Sequence, residues 1–95
     1  MAIRLKTILQ NNNACIICGD TRAEIHHVFF GIPNRKHCDE DGLWVWACPY
    51  HHRQGAESFH FNRQMDLKLK RYAQRKYEET HTREEFIERY GKSYL

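Results

Sequence analysis

The sequence lacks any run of about 20 apolar residues that could span a bilayer. A signal peptide is not expected either, because Arg4 and Lys6 would interrupt its apolar segment within the short lead-in of residues 2–10. There is no internal repeat and no low-complexity tract, and the net charge is only +3. These absences argue against a membrane-spanning protein and a disordered charged tail, and they predict a cytoplasmic protein without membrane association.

The sequence does contain enough apolar side chains for one folded domain. Hydrophobic residues make up 41% of its 95 positions and aromatic residues 13%. We expect a single domain over residues 1–95, with a core at residues 14–62 and a C-terminal helical extension at residues 63–95. Because a chain of this length has a modest core, a further source of stability is expected.

The core sequence predicts a β-hairpin followed by a short helix. Residues 24–30 and 43–47 are rich in β-branched and aromatic side chains and predict two strands. Residues 34–42 are polar and charged and predict a loop between these strands. A short helix is expected over residues 50–53, with Gly55 as its end. The expected fold class is therefore α+β.

Two more helices are predicted in the C-terminal extension. Asn62 can cap a helix over residues 63–79. Thr82 followed by Glu85 predicts a capping box for a last helix, which Gly91 would end. The side chains expected to face inward are Met65, Leu69, Tyr72, Ala73, Phe86, Ile87 and Tyr90.

A Cys-x-x-Cys pair and a Cys-x-x-His pair, separated by 29 intervening residues, predict a closed structural zinc site. In a reducing cytoplasm, cysteine pairs hold zinc more often than they form disulfides. A redox-active Cys-x-x-Cys is disfavoured because its usual βαβ context is missing. Cys38 is expected to be a spare thiol, although it would replace the histidine ligand if its loop folded back. The predicted zinc ligands are Cys15, Cys18, Cys48 and His51.

Other histidines predict a second metal site beside the first. His52 lies about 100° around the short helix from His51, so it is expected to point away from the zinc and toward the hairpin. His26 and His27 belong to that hairpin. Neighbouring residues of a strand point to opposite faces, so these two can share a site only if the strand ends or bends between them. Such a cluster favours an open metal site with a free imidazole able to act as a base.

The segments C-I-I-C-G, E-I-H-H-V-F and W-A-C-P-Y-H-H-R carry a family resemblance over residues 15–62. They resemble the HNH nucleases of the ββα-metal superfamily, most closely small phage-type members with a zinc knuckle. The resemblance implies a zinc-stapled ββα-metal hairpin-helix core followed by C-terminal helices. It also implies that His26 and His52 bind a catalytic metal, that His27 is the general base, and that His60 is a further ligand.

The sequence lacks the middle residue of the His-Asn-His motif that gives the family its name. The asparagine that the family uses to brace the loop between the strands is replaced by Leu43. Asn34 is expected to take over this bracing role. The departure concerns the geometry of the loop, since the base and the metal ligands are present.

The resemblance implies a metal-dependent endonuclease that hydrolyses phosphodiester bonds in DNA, by nicking or by double-strand cleavage. Imidazole ligands suit Mn²⁺, Ni²⁺, Co²⁺ or Zn²⁺ better than Mg²⁺, which the resemblance keeps open. The sequence leaves open whether the protein acts alone or beside a phage recombination or packaging protein. Residues 62–76 carry six basic side chains against one acidic side chain. The side chains expected to contact DNA phosphates are Arg35, Lys36, Arg53, Lys68, Arg71 and Arg75.

Two other functions are compatible with the sequence. The first is a zinc-stabilised nucleic-acid-binding module without catalysis. The second is an adaptor whose C-terminal Tyr90, Tyr94 and Leu95 pack on a partner protein instead of on the domain.

Overall fold

A computed structural model describes residues 5–95, so the first residues of the expected lead-in, Arg4 among them, lie outside the described residues. The architecture is a small α+β fold with a two-stranded sheet, which confirms the expected fold class at this level. None of the helices within the described range is long and apolar enough to cross a membrane. The elements are β1 (Glu24–His27), α1 (Asn34–Asp41), β2 (Trp44–Ala47), a π-helical turn (Tyr50–Gln54), α2 (Arg63–Tyr77) and α3 (Arg83–Tyr90).

The two strands form an antiparallel hairpin that is shorter than the sequence predicted. β1 ends at His27 instead of residue 30, and β2 begins at Trp44. In the register of the hairpin, His26 lies opposite Val45 and His27 lies opposite Trp44. The residues after His27 leave the strand but enter the core, where Phe29 is buried.

The predicted loop over residues 34–42 is wrong, because this segment is the helix α1. It ends at Gly42, whose positive φ of 75° suits glycine, and a Cβ there would lie 2.7 Å from the backbone oxygen of Lys6. Arg89 of α3 binds the carboxylate of Asp41 at 2.5 Å, and the Tyr90 hydroxyl donates to the same carboxylate at 2.6 Å. These contacts come from the far end of the chain, so the local sequence does not show them.

The two C-terminal helices begin at the caps that the sequence predicts. The Asn62 side chain accepts a hydrogen bond from the backbone N–H of Met65, and Thr82 and Glu85 form the predicted capping box. α3 ends before Gly91 as expected, whereas α2 ends at Tyr77 and not at residue 79.

Two side chains that were expected to face inward do not. Tyr72 is 36% exposed and Ile87 is 39% exposed. Phe86 and Tyr90 are buried, and they lie four residues apart on one face of α3, whereas Ile87 is about 100° away. The Tyr94 ring lies 5.4 Å from the Phe29 ring, centroid to centroid. Tyr90 and Tyr94 therefore pack on the domain, which contradicts the adaptor prediction for these two residues, whereas Leu95 is 41% exposed.

Candidate metal centres

The first candidate centre lies where the hairpin begins and ends. Cys15 opens a tight turn that closes with a 2.8 Å hydrogen bond from the Gly19 N–H to the Cys15 carbonyl. The Ile16 N–H donates to the Trp46 carbonyl at 2.8 Å, which ties this turn to β2. Cys48 follows β2 directly, and His51 lies in the π-helical turn. Sheet pairing therefore brings the two ligand pairs together.

The distances between the four donor atoms fit a tetrahedral zinc ion. All of them lie within 4.8 Å of one another. The Cys18 and Cys48 sulfurs are 3.7 Å apart, and His51 Nδ1 lies 3.2 Å from Cys48 Sγ and 3.8 Å from Cys15 Sγ. Tetrahedral zinc, with bonds of about 2.3 Å to sulfur and about 2.0 Å to nitrogen, spaces two sulfurs about 3.8 Å apart and a sulfur and a nitrogen about 3.5 Å apart. The cluster could therefore hold a metal ion such as zinc.

The local environment favours a thiolate at Cys15. Burial acts to raise the pKa of this thiol, but backbone N–H groups, that of Cys48 first, outweigh burial and lower the pKa to about 6. Cys38 is also buried, but the pKa of its thiol is shifted in the opposite direction. It is buried away from the cluster, its thiol donates to the Phe29 carbonyl, and burial raises its pKa to about 11. Cys38 is therefore no ligand of this cluster, in line with the expected spare thiol.

The second candidate centre is a triangle of imidazoles. His26, His52 and His60 each offer a ring nitrogen within 4.8 Å of the others, and their ring centroids are 5.0 to 5.6 Å apart. The His26 side chain is 1% exposed, and its Nε2 has no hydrogen-bond partner within residues 5–95. An unpaired buried nitrogen costs free energy unless something binds it. The donor set therefore suits a bound metal ion.

The surroundings of His26 and His60 favour the neutral forms of these two imidazoles. Burial, followed by the charge of His52, lowers the pKa of His26 to about 3. The same two causes in the same order lower the pKa of His60. Only a neutral imidazole has a lone pair for a metal, so these shifts favour ligation.

Glu24 holds His52 in place, and the sequence analysis missed it. His52 Nδ1 lies 2.7 Å from Glu24 Oε1, and Arg53 donates to both oxygens of the same carboxylate at 3.0 and 2.8 Å. Hydrogen bonds from Arg53 first, and then from His52, lower the pKa of Glu24 to about 2. Strand alternation could have found this residue, because Glu24 and His26 are two apart and share a face of β1.

His27 lies at the edge of the same site. β1 ends at this residue, and both His26 and His27 line a cavity of about 360 Å³ that His52 and His60 also line. His27 Nε2 lies 2.8 Å from Oδ1 of Asp39, a residue of α1. The strand does not end between the two histidines, since β1 includes both: His26 joins the imidazole triangle, whereas His27 lines the cavity without belonging to the triangle. Asp39 has no local sequence signal, since its helix was expected to be a loop.

Of the remaining predicted residues, only Arg35 and Arg53 line this cavity. Arg35 lines it, and Lys36 is exposed beside Arg35 on α1. Arg53 also lines it, but its guanidinium is bound to Glu24. Asn34 is the first residue of α1, and its side chain makes no hydrogen bond within the described part of the chain, so its bracing role stays a prediction. Lys68, Arg71 and Arg75, the predicted phosphate contacts on α2, are exposed.

Comparisons of the chain with protein-family models, with curated proteins and with solved structures gave no match. The functional inference therefore rests on the geometry of the two candidate centres.

Proposed function

We propose that this chain is a metal-dependent endonuclease of the HNH type, with a ββα-metal core, that hydrolyses phosphodiester bonds in DNA. The observation that carries the proposal is the convergence of His26, His52 and His60 on one cavity, with the buried His26 Nε2 unpaired among residues 5–95. A fourth imidazole, that of His27, lines the same cavity. Three ligands and an adjacent base are what metal-assisted hydrolysis requires.

The two centres would have different roles, since the cysteine cluster would be structural and the imidazole triangle would be catalytic. The cysteine cluster would fasten the start of the hairpin to the turn that carries His52. A divalent ion at the imidazole triangle would supply positive charge to the scissile phosphate and to the departing 3′ oxygen. His27 would take the proton from the attacking water, a contribution typically worth about 10² to 10⁴ in rate. Three imidazole ligands favour Mn²⁺, Ni²⁺, Co²⁺ or Zn²⁺ over Mg²⁺.

Basic side chains around the cavity support DNA as the substrate. Arg35 lines the cavity and Lys36 is exposed beside it on α1, which supports a role for both in contacting the phosphates that flank the scissile bond. Such contacts position the backbone without reading its sequence. Arg53 contributes less than the sequence suggested, because Glu24 binds its guanidinium. A phage recombination or packaging protein is the proposed protein partner.

The test is a plasmid cleavage assay with Mn²⁺, Ni²⁺, Co²⁺, Zn²⁺ and Mg²⁺, each with and without chelator. We expect cleavage with at least one ion, loss of cleavage with chelator, and a rate at least about 100-fold lower in His27→Ala. The matched control is His81→Ala, which removes an exposed histidine that does not line the cavity. Equal rates for His27→Ala and the wild type would show that His27 is not the base.

One observation favours a second function, a zinc-stabilised nucleic-acid-binding module without catalysis. Lys68, Arg71 and Arg75 form an exposed basic face on α2 that needs no metal to attract DNA. The same experiment separates the two functions. Binding of the plasmid without cleavage under every ion would favour the module.

A further inference from the structure

His27 is held by a carboxylate from a helix that the sequence did not predict. Its Nε2 lies 2.8 Å from Asp39 Oδ1, and both side chains are mostly buried. An ionised carboxylate can only accept a hydrogen bond, so Nε2 of a neutral His27 must carry the proton. Nδ1 then keeps its lone pair, and it has no hydrogen-bond partner within residues 5–95.

Asp39 is itself fixed by contacts that do not involve His27. The Leu5 N–H donates to the Asp39 carbonyl at 2.7 Å. The next two residues of α1, Glu40 and Asp41, bind Arg89 of α3 at 2.6 and 2.5 Å. α3 therefore anchors the helix that carries Asp39, and the C-terminal extension is linked to His27 through α1.

We propose that Asp39 is a positioning residue, which holds the His27 imidazole in one orientation and in the tautomer whose Nδ1 is free to accept a proton. Asp39 does not line the cavity, so it acts through His27 and not on the DNA. The catalytic consequence rests on the proposed function, whereas the tautomer does not. Outer contacts of this kind typically change activity about 10- to 100-fold when removed.

The informative variant is Asp39→Asn. An amide keeps the size of the side chain, but it can both donate and accept, so it no longer dictates which nitrogen of His27 carries the proton. The matched control is Glu40→Gln, which removes the neighbouring acid of the same helix and leaves the His27 contact in place. Both are compared with the zinc-loaded wild type, and melting temperatures show whether each variant is folded.

Two readouts test the proposal. The first is the ¹⁵N spectrum of the imidazole rings at about pH 8, where an ordinary histidine is neutral, with His27 assigned from a His27→Gln spectrum. We expect the Nε2–H tautomer in the wild type and in Glu40→Gln, and a mixture of tautomers in Asp39→Asn. The second is plasmid cleavage, in which we expect kcat to fall about 10- to 100-fold in Asp39→Asn with KM unchanged.

The outcomes separate this inference from the proposed function. If the wild type fails to cleave the plasmid with every metal ion tried, the proposed function is refuted. The ¹⁵N spectra of the imidazole rings then test the role of Asp39 by themselves. An Asp39→Asn variant with the wild-type tautomer overturns the inference, as does one that cleaves with the wild-type kcat. A fall in kcat that Glu40→Gln shares equally would also overturn it, because the effect would then belong to α1 as a whole.

Discussion

Loss of one zinc ligand is expected to unfold the protein instead of merely weakening it. Cys48 is buried, and its sulfur lies 3.2 Å from His51 Nδ1 and 3.7 Å from the Cys18 sulfur. Cys48→Ser therefore removes a donor that is close to two other members of the cluster. Structural zinc contributes about 10 to 16 kcal/mol in small zinc-binding peptides. The whole free energy of unfolding of a chain of 95 residues is about 5 to 14 kcal/mol. The contribution expected from zinc is therefore as large as the whole expected free energy of unfolding.

The assay is thermal unfolding followed by circular dichroism, with metal content measured on the same samples. We expect the zinc-loaded wild type to unfold cooperatively, and both Cys48→Ser and the chelator-treated wild type to lack a cooperative transition. Cys38→Ala is the matched control, because it removes a buried thiol outside the cluster. A cost of about 1 kcal/mol would lower its melting temperature by about 4 to 8 °C and leave its zinc bound. Cooperative unfolding of a metal-free wild type at an unchanged temperature would refute this reasoning.

Three further predictions follow from the contacts. His60→Ala should weaken Co²⁺ binding at the imidazole triangle by more than about 100-fold, the upper end of what an outer contact costs, while zinc at the cysteine cluster is retained; cobalt absorption titrations measure this. Replacing Lys68, Arg71 and Arg75, the basic face of α2, by glutamine should lower the slope of log Kd against log salt concentration by about 2.7, because three phosphate contacts are lost. An unchanged slope would show that this face does not contact DNA. Burial first, and then Asp41, raises the pKa of Tyr90 well above its usual value near 10, so the unfolded state releases this proton first and stability falls as pH rises above about 10. Tyr90→Phe should lose about 1.5 to 3 kcal/mol at neutral pH, because its hydrogen bond to Asp41 is lost, and should show a shallower alkaline decline in denaturant titrations.

The elements that could be predicted are those whose signals are local. Asn62 caps α2 through a contact three residues away, and Thr82 and Glu85 form a capping box at the same spacing. The pairs Cys15–Cys18 and Cys48–His51 were likewise predictable, since a spacing of three residues places both members of each pair in one turn. For these residues the sequence neighbours are also the structural neighbours.

The elements that could not be predicted depend on distant contacts. α1 has a single buried side chain, Cys38, so it shows almost no amphipathic pattern. Its acidic end is bound by Arg89 and Tyr90, which are 48 and 49 residues away from Asp41. Asp39 was missed for the same reason, because its approach to His27 requires α1 to be a helix. Local polarity therefore indicated a loop where tertiary contacts stabilise a helix.

We propose that one small domain holds two neighbouring metal ions, a structural one at the cysteine cluster and a catalytic one at the imidazole triangle. Anomalous scattering from crystals of the zinc-loaded protein soaked in Mn²⁺, measured near the absorption edge of each metal, tests it most directly. We predict a zinc peak among Cys15, Cys18, Cys48 and His51, and a manganese peak among His26, His52 and His60. A fully occupied zinc site with no second metal at the imidazole triangle would contradict the account.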